Sequence, residues 1–173
     1  MSNEDTIKLF YSFYQKHEYK GMQSLLNANV KFSDYALDIS GKAVFAMWHW
    51  FCVPFEARQE PMEVPSFEIL GSDNNRVLGK YRVIYKLRDE KNETVRTVDY
   101  VIESNFTLED GKIKIHTDKI TISELAFARM VAGFPKCLLA FTPIFQKKVK
   151  EDISTKLSKF MHVHKSIYEV KPN

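Results

Sequence analysis

Ile7, Phe10, Tyr11 and Tyr14 recur at intervals of 3, 1 and 3, the spacing that gathers apolar side chains on one face of a helix over residues 4–17. Glu4 and Asp5 suit its N-terminal end, and Lys16 and His17 its C-terminal end. Gly21 opens a second, short helix with Met22, Leu25 and Leu26. Residues 27–29 break it, and Val30, Phe32 and Asp34 begin an alternating strand. A third helix is predicted over 42–52. There Val44, Phe45, Met47, Trp48, Phe51 and Cys52 cover more than one face, as in a buried helix, and Pro54 ends it. A linker containing Pro61 and Pro65 follows.

The period then becomes 2. Phe67 and Ile69 mark one strand, and Val77, Tyr81, Val83 and Tyr85 the next, after a turn at 72–75. Two longer strands over 95–108 and 112–122 are joined by Asp110-Gly111, a dipeptide suited to a two-residue hairpin loop. The chain ends in helices, one around 123–132 and a last one starting at Thr142-Pro143, with Thr as N-cap and Pro in the first turn. Phe145, Val149, Ile153, Leu157 and Phe160 line one side of it. Helices grouped around a run of strands predict an α+β fold with helices against an antiparallel sheet. Residues 1–141 are expected to form the α+β domain, and 142–173 a C-terminal helix and tail docked on it.

Composition narrows the class. A chain of 173 residues with 45% apolar and 27% charged residues suits one soluble globular domain, and excludes a disordered chain, a collagen-like repeat or a disulfide scaffold. No apolar run approaches the ~20 residues that span a bilayer. The acidic start lacks a basic, apolar leader pattern, so a cytoplasmic protein is expected. Cys52 and Cys137 sit among apolar residues and read as buried, reduced thiols. Of the net charge of +3, residues 142–173 contribute 7 Lys against 3 acids, so the rest is near neutral and no nucleic-acid footprint is expected. The lysines of the last helix would also suit an anionic membrane surface. Glu151 and Asp152 interrupt them, which favours the ordinary solvated face of a docked helix. The aromatic share, 13%, is enough to fill a large core or to wall an apolar pocket.

Candidate chemistry lies on the Asp110-Gly111 hairpin. A regular ladder pairs Phe106 with Ile115, Asn105 with His116, Ser104 with Thr117 and Glu103 with Asp118. Phe106, Leu108, Ile113 and Ile115 then form a core face, and Glu103, Asn105, His116 and Asp118 share the polar one. Two facing carboxylates are destabilising unless a cation or a shared proton relieves them. That face is either a pocket with Asp118 as acid/base, oriented by His116 or Glu103, or a solvated outer surface. Tyr14 and Trp48, on helix stripes, are core residues or pocket walls. No Gly-rich phosphate loop, G-x-S-x-G motif or metal-ligand spacing occurs, so neither cofactor nor metal is expected.

Three stretches resemble the nuclear-transport-factor-2-like superfamily, which includes ketosteroid isomerase, SnoaL-like polyketide cyclases and limonene epoxide hydrolase. They are the helical pair leading to Phe32-Ser33-Asp34, the segment Ile39-Ser40-Gly41-Lys42 before the third helix, and residues 106–118, similar to the family's "F-x-x-x-D-G-K-I-x-x-x-x-D" hairpin. Residues 128–133 and 137–143 are similar to "R-M-A-L-G…L-L-G-W-T-P", a pattern of a SnoaL-like subgroup with an extra C-terminal helix. The resemblance implies a curved sheet wrapped around helices as a cone, an apolar pocket in its mouth, and a homodimer. It places Asp118 at the acid/base aspartate of the epoxide hydrolase, Glu103 near the oxyanion-binding aspartate of the isomerase, and Asp34 at that enzyme's general base. It also shows departures. The isomerase's tyrosine falls on Phe10, and the hydrolase's Arg-x-Asp falls on Tyr81-Arg82-Val83-Ile84, so neither mechanism transfers whole.

The resulting expectation is a protein that binds a small apolar molecule in the cone. It would act as an isomerase-, cyclase- or hydrolase-type acid–base enzyme through Asp118, His116, Glu103 and Asp34, with Tyr14, Trp48 and Asn105 lining the pocket. The alternatives are a non-catalytic carrier and a protein–protein adaptor using the same cone. Phe134, Phe141 and Phe145 are placed to cap it.

Overall fold

In the computed structural model, which describes residues 1–55, 60–89, 94–132 and 142–168, the helices come first and last. Helix α1 (Asn3–Gln15) begins with a capping box: Ser2 Oγ accepts from Asp5 N, and the Asp5 carboxylate accepts from Ser2 N, both at 3.1 Å. Its apolar stripe is the expected one, with Ile7, Phe10, Tyr11 and Tyr14 buried. A short α2 (Tyr19–Ser24) leads into β1 (Leu26–Ser33), so residues 27–29 are already strand, earlier than periodicity suggests. A three-residue β2 (Asp38–Ser40) pairs back on β1 before α3 (Lys42–Cys52). Helix α3 buries Val44, Ala46, Met47, Trp48, His49 and Cys52 around much of its circumference.

Four long strands follow: β3 (Glu63–Asp73), β4 (Arg76–Asp89), β5 (Thr94–Glu109) and β6 (Lys112–Ile120). The order β2-β1-β6-β5-β4-β3 leaves β3 at an edge, which is why Pro65 is accommodated within a strand and not in a linker. All neighbours are antiparallel except β1 and β6, which run parallel because the rest of the sheet is made between them. The sheet is mixed, curved and unclosed, and wraps the helices as an α+β cone. Asp110 and Gly111 both have positive φ, 52° and 72°, the left-handed pair that a two-residue hairpin loop with matched strand twist requires.

Chain order continues with α4 (Glu124–Ala132), α5 (Pro143–Val163) and α6 (Lys165–Tyr168). Leu157 and Phe160 of α5 are buried, and Phe160 packs edge-on against Phe55 and His49. Cys137, Phe134 and Phe141 lie outside the described residues, as does the side chain of Phe145. No helix among the described residues is long and apolar enough to cross a membrane.

The hairpin ladder differs from a regular one at a single place. Glu109 faces Lys112 and Leu108 faces Ile113 as expected, but Thr107 then faces Ile115, with Lys114 left over as a β-bulge. Every later pair is therefore shifted by one: Phe106 with His116, Asn105 with Thr117, Ser104 with Asp118, Glu103 with Lys119. The inward set becomes Ile113, His116 and Asp118, and Ile115 turns to the surface at 39% exposure.

Candidate active site

The bulge brings Asp118 onto the inner face, where it is 8% exposed. A carboxylate there needs donors in place of water. Three supply them. Ser104, directly across the ladder, donates Oγ–H to Asp118 Oδ1 at 2.5 Å. Tyr81 of β4 donates its hydroxyl to Oδ2 at 2.7 Å. His116, two residues earlier on the same face, places Nε2 2.7 Å from Oδ1. Because Asp118 accepts, the His116 Nε2 carries a proton, and the other ring nitrogen is Nδ1. That Nδ1 has no hydrogen-bond partner among the described residues.

Aromatic rings surround the histidine. Trp48 lies nearly parallel to it (centroids 5.4 Å, 9°), Phe106 tilts over it at 4.1 Å, and Phe10 and Phe32 meet it edge-on. Tyr11 packs next to Tyr81 and Phe106. Burial, reinforced by the charge of Asp118, holds the Tyr81 and Tyr11 phenols well above their ordinary range. Both therefore remain protonated donors at neutral pH.

Asp34 stands just past the end of β1. Its Oδ1 accepts the backbone N–H groups of Ala36 (2.7 Å) and Leu37 (2.6 Å), an Asx turn that fixes the carboxyl. Burial pushes it up to about 6; the two amide bonds oppose this, Asp118 adds to it and His116 subtracts. Asp34 and Asp118 thus share one electrostatic environment. Nearby, Phe127 of α4 packs edge-on to Tyr100 (5.0 Å) and Tyr35 (6.4 Å).

The structure brings Asp118, His116 and Trp48 together and keeps Asp34 in their field. Tyr14 is buried on the same inner side, with its hydroxyl toward Met62 Sδ at 3.5 Å. Two expected members are elsewhere. Glu103 is exposed on the outer face, between Lys119 and Lys80, and Asn105 is exposed there between Thr117 and Leu78. The correction has one cause: the bulge turns Asp118 away from Glu103 and toward Ser104. Tyr81 and Ser104 are the residues that sequence reasoning missed. Tyr81 is marked inward by its alternation with Val83 and Tyr85; no local pattern marks Ser104, because its partner depends on the bulge. Among the described residues no group of three or more metal-ligating side chains occurs.

No family model matches the chain, and no curated protein matches it. Solved structures do. A proposed polyketide cyclase from Xanthomonas campestris pv. campestris has a TM-score of 0.57 at 17% identity, over 68% of this chain and 88% of that one. An LEH-like epoxide hydrolase from M. tuberculosis has a TM-score of 0.53 at 15% identity, over 79% and 91%. An NTF2-like protein from Burkholderia xenovorans LB400 has a TM-score of 0.55 at 18% identity, over 74% and 94%. Together with the helix-wrapping sheet and its bulged hairpin, these likenesses give the architecture its name: the chain has the nuclear-transport-factor-2-like fold.

Proposed function

We propose that the chain binds a small apolar molecule in the mouth of the cone and moves a proton on it, with Asp118 as the proton-transfer group of an isomerase-, cyclase- or hydrolase-type reaction. The observation that supports this most is a carboxylate buried against aromatic rings and held by Tyr81, Ser104 and His116, with no Lys or Arg among its described partners. Such donors fix the rotamer of a catalytic carboxylate, the pre-organisation that acid–base chemistry needs. Asp34, pushed up to about 6, is the second carboxylate and exchanges its proton near neutral pH. His116 and Tyr81 position Asp118, while Trp48 and Tyr14 form the apolar wall. Glu103 and Asn105 take no part, since they face outward. The names of two fold neighbours, a cyclase and an epoxide hydrolase, point the same way. A homodimer rests on the resemblance of its motifs alone, and a cytoplasmic setting on the apolar surroundings of Cys52 and Cys137, which suit reduced thiols.

One observation favours a second reading, a non-catalytic carrier. Both oxygens of Asp118 are already engaged, so the cluster also serves as a polar tie within the core. A panel of cyclic ketones, hydroxyketones and epoxides, tested for binding by thermal shift and for turnover by mass spectrometry, separates the two. The enzyme reading expects Asp118→Asn to keep binding and lose about 10²–10⁴ in rate. Binding without turnover in the wild type establishes the carrier. Unchanged turnover in Asp118→Asn removes Asp118 from the chemistry.

A further inference from the structure

Helix α3 presents consecutive residues to two different structures. Trp48 faces the His116 ring, and His49 faces the C-terminal helices. His49 is 4% exposed. Its ring lies flat on Tyr19 (3.7 Å, 19°), edge-on to Phe160 (5.0 Å), and 5.0 Å from the ring of His164. Its Nδ1 is 2.5 Å from the hydroxyl of Tyr168. His164 lies over Phe160 at 4.1 Å and donates from Nδ1 to the Phe160 carbonyl at 3.0 Å. One imidazole thus joins α2, α3, the end of α5, and α6.

The charged and titratable groups facing His49 are Tyr19 and Lys20 from α2, His164 beyond α5, and Tyr168 from α6. Among the described residues no carboxylate is hydrogen-bonded or ion-paired with it. A proton added to His49 therefore creates a buried cation beside Lys20 and a second imidazole, with nothing opposite to balance it. A protonated Nδ1 donates to the Tyr168 hydroxyl oxygen, and the face of Tyr19 offsets part of the cost. The remainder falls on the docking of α5 and α6, because undocking returns His49 to water.

We propose that His49, packed against His164 and Tyr168, is an acid-sensitive latch, which holds α5 and α6 on α3 while its own ring is neutral and releases them when that ring is protonated. Release bares Leu157 and Phe160 together with the outer side of the helix that carries Trp48. Burial, then His164, then Lys20 lower His49 to about 4 from its ordinary 6.5. For a histidine lowered in this way, the stabilisation is complete above pH 6.5 and is lost as pH falls toward 4. At pH 5 that spacing weakens docking about 30-fold.

The test is amide hydrogen exchange on the full chain, corrected for intrinsic rates, with segments 147–168 compared against β4 and β5 at pH 7.5 and pH 5. The latch expects protection over 147–168 to fall about 30-fold at pH 5 while the strands keep theirs. It also expects His49→Phe, which keeps the aromatic stack, to hold protection at both pH values. Loss in strands and helices together, no loss at all, or an equal loss in His49→Phe each overturns the proposal. Should His49→Phe fail to fold, the wild-type imidazole settles the matter by NMR: a His49 titration near 4 supports the latch, and one at 6.5 or above ends it.

Discussion

Lys80 and Tyr81, Glu103 and Ser104, and Lys119 and Asp118 are chain neighbours that face opposite ways through one sheet. On the outside, Lys119, Glu103, Lys80 and Glu68 sit abreast on four strands in alternating charge. On the inside, one carboxylate takes three hydrogen bonds from Tyr81, Ser104 and His116. The outer row has more charge and less consequence. Water solvates each member, so pairing adds little, and salt screens it further. The inner carboxylate has protein atoms in place of solvent, and each of its lone pairs must be matched or left at a cost. Matched donors per buried charge distinguish a site from a surface, and the number of charges does not.

Substitutions can break that contrast. The largest effect is expected at Asp118→Leu, which leaves the Tyr81 and Ser104 hydroxyls and the His116 N–H without their acceptor. Urea denaturation should show a loss of about 3–5 kcal/mol. Next come Tyr81→Phe and Ser104→Ala, each removing one donor from the buried carboxylate. Each should cost about 1–3 kcal/mol in the same assay, and the double variant should depart from additivity because both act on one group.

A third substitution is expected to stabilise. Asp34 has its folded pKa raised to about 6, so ionising it opposes folding at neutral pH and protonation relieves that cost as pH falls. An asparagine in its place keeps an oxygen to accept both backbone N–H groups and carries no charge. Asp34→Asn should therefore gain about 1–2 kcal/mol at pH 7, allowing for its partial exposure, and gain nothing below pH 4. A gain that persists at pH 3.5 would mean that packing, and not charge, is responsible. The smallest effect belongs outside. Glu103→Gln should change stability by about 0.5 kcal/mol or less, and 0.5 M salt should abolish even that.

Patterns carried by a few adjacent residues were legible from the chain. The 42–52 helix, the Asp110-Gly111 turn and the Thr142-Pro143 start each depend on local spacing or backbone preference, and each stands where those residues put it. What escaped depends on partners far away. β2 exists because β1 offers it an edge, and Pro65 is tolerated in β3 because that strand is the last of the sheet. The site divides in the same way. Asp118, His116 and Asp34 were named by residue type and resemblance. Their company was not, because Ser104 and Glu103 exchange places on the strength of one unpaired residue.

That residue, Lys114, makes membership of the site a question of parity. Without it, Leu108 opposite Ile113 and Thr107 opposite Ile115 would be consecutive rungs of a regular ladder, and His116 and Asp118 would still face inward. A one-codon deletion there should therefore be silent in the site, because it removes the one residue of the ladder that has no partner. Hairpins of two lengths can encode the same cluster, so the interval from turn to acid, counted along a gene, is meaningful only modulo the bulge.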